Sequence, residues 1–442
     1  MASRRVLAGA VLAMVILIDA RGVAAQTADD LFNDQVLHRI DLWVNTTDWY
    51  LLRANYMSDD YYPANMKWNG TTTTNVAIRS RGTGSRSATK PAIRVDFNRY
   101  VTGRTFLGLT AIDLNNMVQD ASNLREVLTM KFYGSMGIPA PRVAHCALYI
   151  NNAYFGLYII VEEIDEAALT RLFGESAGYL FEYKWQFLYN FEYLGSDLRA
   201  YAAIYSPKTH ETESDRALYS PVEAMIRTIN DASDENFVPA VSQYLDLPVF
   251  MRFVAVQSFL AEQDGILGNW GVNNHYLYRF NQKDLSQFIA WDASSSFIFP
   301  DWPVDFGHAA SVLMRRAMNV PELRAVYFGT LLDAAAFNDQ VDPSTPPGQP
   351  GPGWLEREAT RLLDLIRTAA YADRTKPYTN DEFEQGAAYI LNVARVRSSF
   401  VRNDVARVAG QPPQGLPAGL AASWAAAARA RGAAAVKPAV RR

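Results

Sequence analysis

The sequence predicts an α+β fold, with strands dominating the first part of the chain and helices the second. Two patterns support this. Between residues 37 and 183 short apolar runs alternate with turn residues, and beyond Tyr183 the apolar spacing lengthens to a helical period. A hydrophobic content of 49% and an aromatic content of 12% over 442 residues supply material for a sizeable core and exclude a solvated, disordered polymer.

Strands are expected at 40–44, 76–78, 93–97, 147–150 and 155–161, with Asn151-Asn152 as a tight hairpin turn between the last two. One helix interrupts them at 123–136. Asp120 or Ser122 would cap it, Gly137 would end it, and Leu124, Val127, Leu128 and Phe132 would form its apolar face. Further helices are expected at 220–231, 247–262, 321–336, 354–371 and 381–408, with Asp246 before Pro248 marking one start. A short β insert falls at 274–279 and 287–291. Pro and Gly make 343–353 a surface loop.

Four regions follow. Arg4 and Arg5 precede an apolar run over 6–18, and Val23-Ala24-Ala25 stands before Gln26, so 1–25 reads as a cleavable signal peptide. The run is shorter than the ~20 residues that cross a bilayer, so no stable membrane span is expected after cleavage, and the protein is expected to be secreted or periplasmic. Residues 26–183 form the β-rich part, 184–410 the mainly helical part, and 411–442 an Ala/Pro/Arg-rich tail. Lys and Arg total 42 against 46 Asp and Glu, and a net charge of -4 argues against nucleic-acid binding through a global positive field. Cys146 is the single cysteine, so no intramolecular disulfide exists and burial must supply stability. The sequons at Asn45 and Asn69 decide nothing.

Three segments carry candidate chemistry. In the first, Gly82 and Gly84 let the backbone approach an anion, and Arg81, Ser85 and Lys90 add donors suited to phosphate; the alternative is a polar hairpin loop. The second follows the 247–262 helix. There Asp264 could accept a proton from a hydroxyl and Asn274 could ligate a hard cation, although Asp, Gly and Asn also build ordinary turns. In the third, Asp292 ends an apolar strand, where it needs either a bound cation or a capping role. Asp305-Phe306-Gly307 spells the kinase magnesium tripeptide, but no apolar strand precedes it and the match is read as coincidence.

Taken in order, these segments resemble the CotH family, the spore-coat protein H type of secreted atypical protein kinases. The resemblance rests on Arg81-Gly82 with Ser85 and Lys90, on Asn123-Leu124-Arg125-Glu126, and on Gly156-Leu157-Tyr158 with Glu162. It continues through Asp264 with Asn274 to Tyr278 and ends at Trp291-Asp292. It implies an atypical protein-kinase-like bilobal fold, with a β-rich N-terminal lobe holding one packed helix and a mainly helical C-terminal lobe. It also implies phosphoryl transfer from ATP, with Mg2+ or Mn2+, to a protein substrate with Ser/Thr acceptors. Lys90 would contact ATP phosphates with Glu126 as its helix partner, and Arg81, Gly82 and Ser85 would complete the ATP site. Asp264 would be the catalytic acid, and Asn274 and Asp292 the metal ligands.

The chain departs from the family pattern at Ser294, where a second Asp is common. The length of the loop after Asp264 leaves Asn269 and Asn273 as rivals to Asn274. Glu162 and Glu163 end a strand where the resemblance would place an ATP hinge, but solvated positions before the next helix explain them equally well, and they are left out of the site. The rival expectation is a surface or coat protein of the same fold that acts by binding, as an adhesin or scaffold. A two-metal phosphatase or nuclease is weaker, since five scattered His residues supply no dense ligand cluster.

Overall fold

The structure is a computed structural model that describes residues 26–409; the expected leader and the tail from 411 lie outside the described residues. Seven strands close into a barrel. They are β1 (His38–Val44), β2 (Tyr62–Trp68), β3 (Thr71–Ser80), β4 (Ile93–Asp96), β5 (Ala111–Asn115), β6 (Val143–Ile150) and β7 (Ala153–Glu162). Their order is β1-β2-β3-β4-β5-β7-β6, and β6 closes the ring by pairing parallel with β1. Helices α1 (Ala28–Leu31) and α2 (Thr46–Ala54) flank β1, and α3 (Arg125–Ser135) lies between β5 and β6.

A second sheet, ordered β11-β10-β8-β9, is built from β8 (Tyr179–Tyr183), β9 (Tyr205–Pro207), β10 (His275–Arg279) and β11 (Ser286–Ala290). The helices of this part are α4 (Glu166–Phe173), α5 (Leu198–Ile204), α6 (Asp215–Asp231), α7 (Phe237–Val241) and α8 (Leu247–Phe259). They continue with α9 (Val312–Met318), α10 (Pro321–Asn338), α11 (Trp354–Ala372) and α12 (Asn380–Val408). Thus β8, which the sequence groups with the first part, pairs with strands that follow it. Among the described residues no helix is long and apolar enough to cross a membrane.

The architecture is mixed α+β, but the barrel differs from the single sheet with one packed helix that the spacing predicts. Two of its strands carry weak signals. Pro63 interrupts β2, and Asp113 and Asn115 interrupt β5. Closure also depends on the β1–β6 pairing, which joins segments about a hundred residues apart and leaves no local trace.

Strand alternation fills the barrel. Ile40, Leu42, Met66, Trp68, Ile78, Val95, Ile112, Leu114, Leu148 and Ile160 share one internal cluster, and the free thiol of Cys146 lies among them, where burial pushes it above its ordinary value. β7 is apolar on both sides. Tyr158 and Ile160 enter the barrel, while Leu157, Ile159 and Val161 join the helical core with Leu128 and Phe132 of α3. Its unbroken apolar run is therefore that of a strand buried on two faces. α3 then stacks on α8, Phe132 on Phe259 and Tyr133 on Phe253.

α6 begins at Asp215, capped by Ser214, five residues before the expected start. Pro221 therefore lies inside the helix, and its missing N–H leaves the Ala217 carbonyl open. Arg279 of β10 donates to that carbonyl at 3.3 Å, so a tertiary contact replaces the lost helical bond.

A fully buried ion pair ties barrel to helices. Lys90 Nζ lies 2.7 Å from Asp373 Oδ2 beyond α11, and Asp373 also accepts from the backbone N–H of Leu157 in β7. Burial pulls Lys90 below its ordinary value. Burial works the other way on Asp373, but the Lys90 ammonium outweighs it and holds the carboxyl low. Removing one partner strands a buried charge, so Lys90→Met or Asp373→Asn should each cost about 3–5 kcal/mol in urea unfolding. The double variant K90M/D373L should cost less than the sum of the single changes; strict additivity would contradict the pairing.

Candidate active site

The Gly-rich turn leaving β3 is held from three sides. Arg86 Nε donates to the Gly82 carbonyl at 2.6 Å and Arg86 Nη2 to Asp59 at 2.5 Å, while the Asn116 amide donates to the carbonyls of Ser85 and Lys90. Gly82 has φ +96°, and a Cβ there would stand 2.7 Å from Ser85 Oγ, so only glycine fits. The turn with Arg81, Gly82 and Ser85 lines a cleft whose other walls include Glu126, Asp292 and Ser294.

Arg81 follows β3 and reaches Asp113 of β5 at 3.0 Å, with its guanidinium 5.7 Å from the Trp291 ring. Arg94 continues the chain, 3.8 Å from Asp113 and 2.6 Å from Glu163. Glu163 is thus buried in an ion network rather than solvated. Glu162 is likewise buried, between Arg142 and Arg171.

Glu126 comes from the first turn of α3, which Asp120 supports by accepting from the Arg125 N–H at 2.9 Å. The Asn115 amide donates to Glu126 at 2.5 Å. Burial, and then the charge of Asp292, push Glu126 up to about 8; Arg81 acts in the opposite sense.

Asp264 lies in the loop beyond α8. The helix starts at the Asp246 cap, as its sequence predicts, and ends at Phe259, three residues short of the expected limit. The next turn buries Glu262, which accepts from Ser296 Oγ at 2.5 Å and from the Asp264 N–H at 2.9 Å. Burial first, with the nearby Asp264 and Asp292 charges, pushes Glu262 up to about 8.

Asn273 and Asn274 each donate an amide N–H to Asp264, at 2.8 and 3.1 Å. Burial and Asp292 still hold Asp264 at about 6. Asn269 instead turns to Gln263, and its buried amide oxygen has no partner among the described residues. Asp292 follows β11 with φ +45°, a left-handed conformation uncommon outside glycine, and accepts from Ser294 Oγ at 3.1 Å.

The cleft therefore brings together Arg81, Gly82, Ser85, Glu126 and Asp292, and Asp264 with its two asparagines lies within electrostatic reach of Asp292, whereas Lys90 and Asn269 turn to other partners. The expected Lys90–Glu126 pair is not formed: Lys90 is committed to Asp373, and the cation acting on Glu126 is Arg81. Residue type alone cannot separate a solvent-facing lysine from a buried one, and Asp373 lies 283 positions away. Asp113, Asn115, Asn116 and Glu262 join the site unannounced. Glu262 carried one legible signal, an acidic residue at the apolar end of a helix two positions before Asp264. Asp305, of the declined tripeptide, pairs with Arg407, and Gly307 packs against the Leu267 carbonyl.

The donor chemistry fits a hard divalent cation. Glu126 and Asp292 offer carboxylate oxygens to the cleft, and the raised values of Glu126, Glu262 and Asp264 reflect burial first and neighbouring carboxylate charge second. Among the described residues no group of three or more His, Cys, Asp or Glu is placed to hold a metal ion by itself. Mg2+ suits such a site, because it usually keeps several waters and takes one or two carboxylates plus substrate phosphates.

These features define a class first: a mixed α+β protein with an acidic, oxygen-donor cleft beside a cationic Gly-rich turn. The family model described as CotH kinase protein matches residues 78–401, and the chain belongs to this family. The inner spore coat protein H of Bacillus subtilis (strain 168) is 28% identical over 270 residues, covering 60% of this chain and 70% of that protein. Among solved structures, the Helicobacter pylori proinflammatory kinase CtkA aligns with 72% of this chain and 93% of its own, at 11% identity and a TM-score of 0.29. A likeness that remote decides nothing about fold or activity.

The raised carboxyls make stability pH-dependent. A folded state with Glu126 and Glu262 near 8 binds protons more tightly than the unfolded chain, whose glutamates titrate near 4.5. Their contribution is thus complete below 4.5 and is lost as pH rises to about 8, by up to about 1.4 kcal/mol per pH unit for each group. In EDTA the melting temperature should fall across that window, Mn2+ should restore it most at the upper end, and E126Q/E262Q should flatten the slope. A slope unchanged in the double variant would contradict the assignment.

Proposed function

We propose that this chain is an exported protein kinase that moves the γ-phosphoryl group of ATP to Ser or Thr hydroxyls of extracytoplasmic or coat proteins. The observation that carries this reading is that Arg81, Glu126 and Asp292 line one cleft beside the Gly-rich turn, with Asp264 near enough for the Asp292 charge to act on it. Family membership supports it, and the name of the spore coat relative supports a coat or extracellular setting. The leader-like sequence over 1–25 supports export. In this reading the barrel serves as the N-terminal lobe and the helical part as the C-terminal lobe of a kinase-like arrangement.

Phosphoryl transfer asks a protein mainly for positioning and charge neutralisation. Arg81 takes the phosphate-binding role that the resemblance assigns to Lys90. Gly82 and Ser85 present backbone and hydroxyl donors to phosphate oxygens, and Asp113, 3.0 Å away, orients Arg81. Asp264 is largely ionised at neutral pH and held by two amides, so it can take the proton of the acceptor hydroxyl. Asn274 and Asp292 would hold Mg2+ or Mn2+, which when bound neutralises charge on the transferred group. Ser294 gives Asp292 a hydroxyl donor where relatives often place a second acid. This reduced charge favours a second reading, a non-catalytic coat scaffold of the same fold.

Incubating the mature protein with Mn2+, γ-labelled ATP and casein should label casein or the protein itself. D264N should lower the rate by at least ~10²-fold without lowering the melting temperature in the absence of ligand. D292A should remove the Mn2+-dependent stabilisation by ATP, and R81M should weaken ATP binding more than K90M does in molecules that remain folded. No label transfer together with no ATP-dependent thermal shift would leave the scaffold reading in place.

A further inference from the structure

Four buried polar atoms that have no hydrogen-bond partner among the described residues belong to side chains packed near the loop that follows Asp264. They are the hydroxyls of Tyr183 at the end of β8, Tyr189 in the following loop and Tyr205 at the start of β9, together with Nε2 of His275, the first residue of β10. All four residues are more than nine-tenths buried. His275 stacks on Tyr183 with ring centres 4.9 Å apart and meets Tyr205 edge-on at 6.0 Å, and the two tyrosine rings are 5.5 Å apart. Tyr189 belongs to the same group, since Tyr205 and Tyr183 both act on its hydroxyl. Its carbonyl accepts from the Val272 N–H at 2.7 Å, which fixes the niche directly under the segment that carries Asn273 and Asn274.

The other imidazole nitrogen sets the tautomer. Nδ1 of His275 lies 3.3 Å from the Asn273 carbonyl, which can only accept, so Nδ1 carries the proton. In the neutral ring Nε2 is then a bare lone pair, and leaving it buried without a donor is costly. An anion would be repelled by that lone pair. Water can donate to it while accepting from, or donating to, the phenols.

We propose that this niche is a built hydration site in which ordered water bridges His275 Nε2 to the tyrosine hydroxyls. By holding the Nδ1–H tautomer, it makes His275 a positioning residue for the Asn273-Asn274 corner. Asn274 sits in that corner at φ +49°, and the two amides grip Asp264. The consequence for the site rests on the kinase reading; the water and the tautomer do not.

Nitrogen-15 NMR of the full protein tests the tautomer, with the His275 signals assigned by their loss in H275N. The expected result is a protonated Nδ1 and an unprotonated Nε2, and a high-resolution crystal structure should show water within hydrogen-bond reach of Nε2 and at least one of the phenols. A protonated Nε2, or a dry niche, overturns the proposal.

Positioning is read by Mn2+ titration. H275F lacks both ring nitrogens and should weaken Mn2+ binding roughly tenfold, whereas H275N restores a donor at the Nδ1 position and should stay within about threefold of the parent. Equal loss in both variants, or no loss in H275F, overturns the positioning role. A parent protein that takes up no Mn2+ overturns the active-site reading and that role together, while the spectra still decide the water and the tautomer.

Discussion

The crowding of four carboxyl groups, Glu126, Glu262, Asp264 and Asp292, three of which carry values raised first by burial, is the constraint on which the candidate site depends. Folding brings them within electrostatic reach of one another from α3, from the turn after α8 and from the end of β11; Glu126 and Asp292 line the cleft, and burial removes much of the water around Glu126, Glu262 and Asp264. The surroundings answer with neutral donors. Asn115 serves Glu126, Ser296 serves Glu262, and Asn273 and Asn274 serve Asp264. Arg81 supplies positive charge but is itself shared with Asp113. Such an arrangement stores electrostatic energy that a divalent cation would release, so binding and stability are coupled at the same residues.

Holding opposed charges in place requires a stiff frame. β7 supplies it by belonging to two cores at once, so that the barrel and the helical part cannot shift independently without exposing apolar surface on one side or the other. The Lys90–Asp373 pair adds a directional tie next to the same strand and anchors the far end of the Gly-rich segment. A lysine of this kind shapes the site through geometry rather than by meeting a ligand.

Much of this was legible in local sequence, and the misses share a cause. Asp264 and Asp292 stood out because each interrupts an apolar element, and the α8 cap and the turn formed by Asn151 and Asn152, two residues at positive φ, are set by neighbouring residues. Lys90 was misassigned because its partner lies in another part of the fold. Glu162 and Glu163 read as solvated for the same reason, since their arginines come from different elements. Barrel closure and the position of Pro221 within α6 depend on the β1–β6 register and on Arg279, neither visible to periodicity.

Closing the barrel has an effect remote from the cleft. A ring of strands offers no free ladder edge on which a second molecule could add a strand, so a β-rich surface of this size is protected from edge-to-edge association. The same wall seals in the thiol of Cys146. In an oxidising medium the barrel would therefore resist both the addition of strands from another copy and covalent crosslinking through Cys146, although it holds no disulfide.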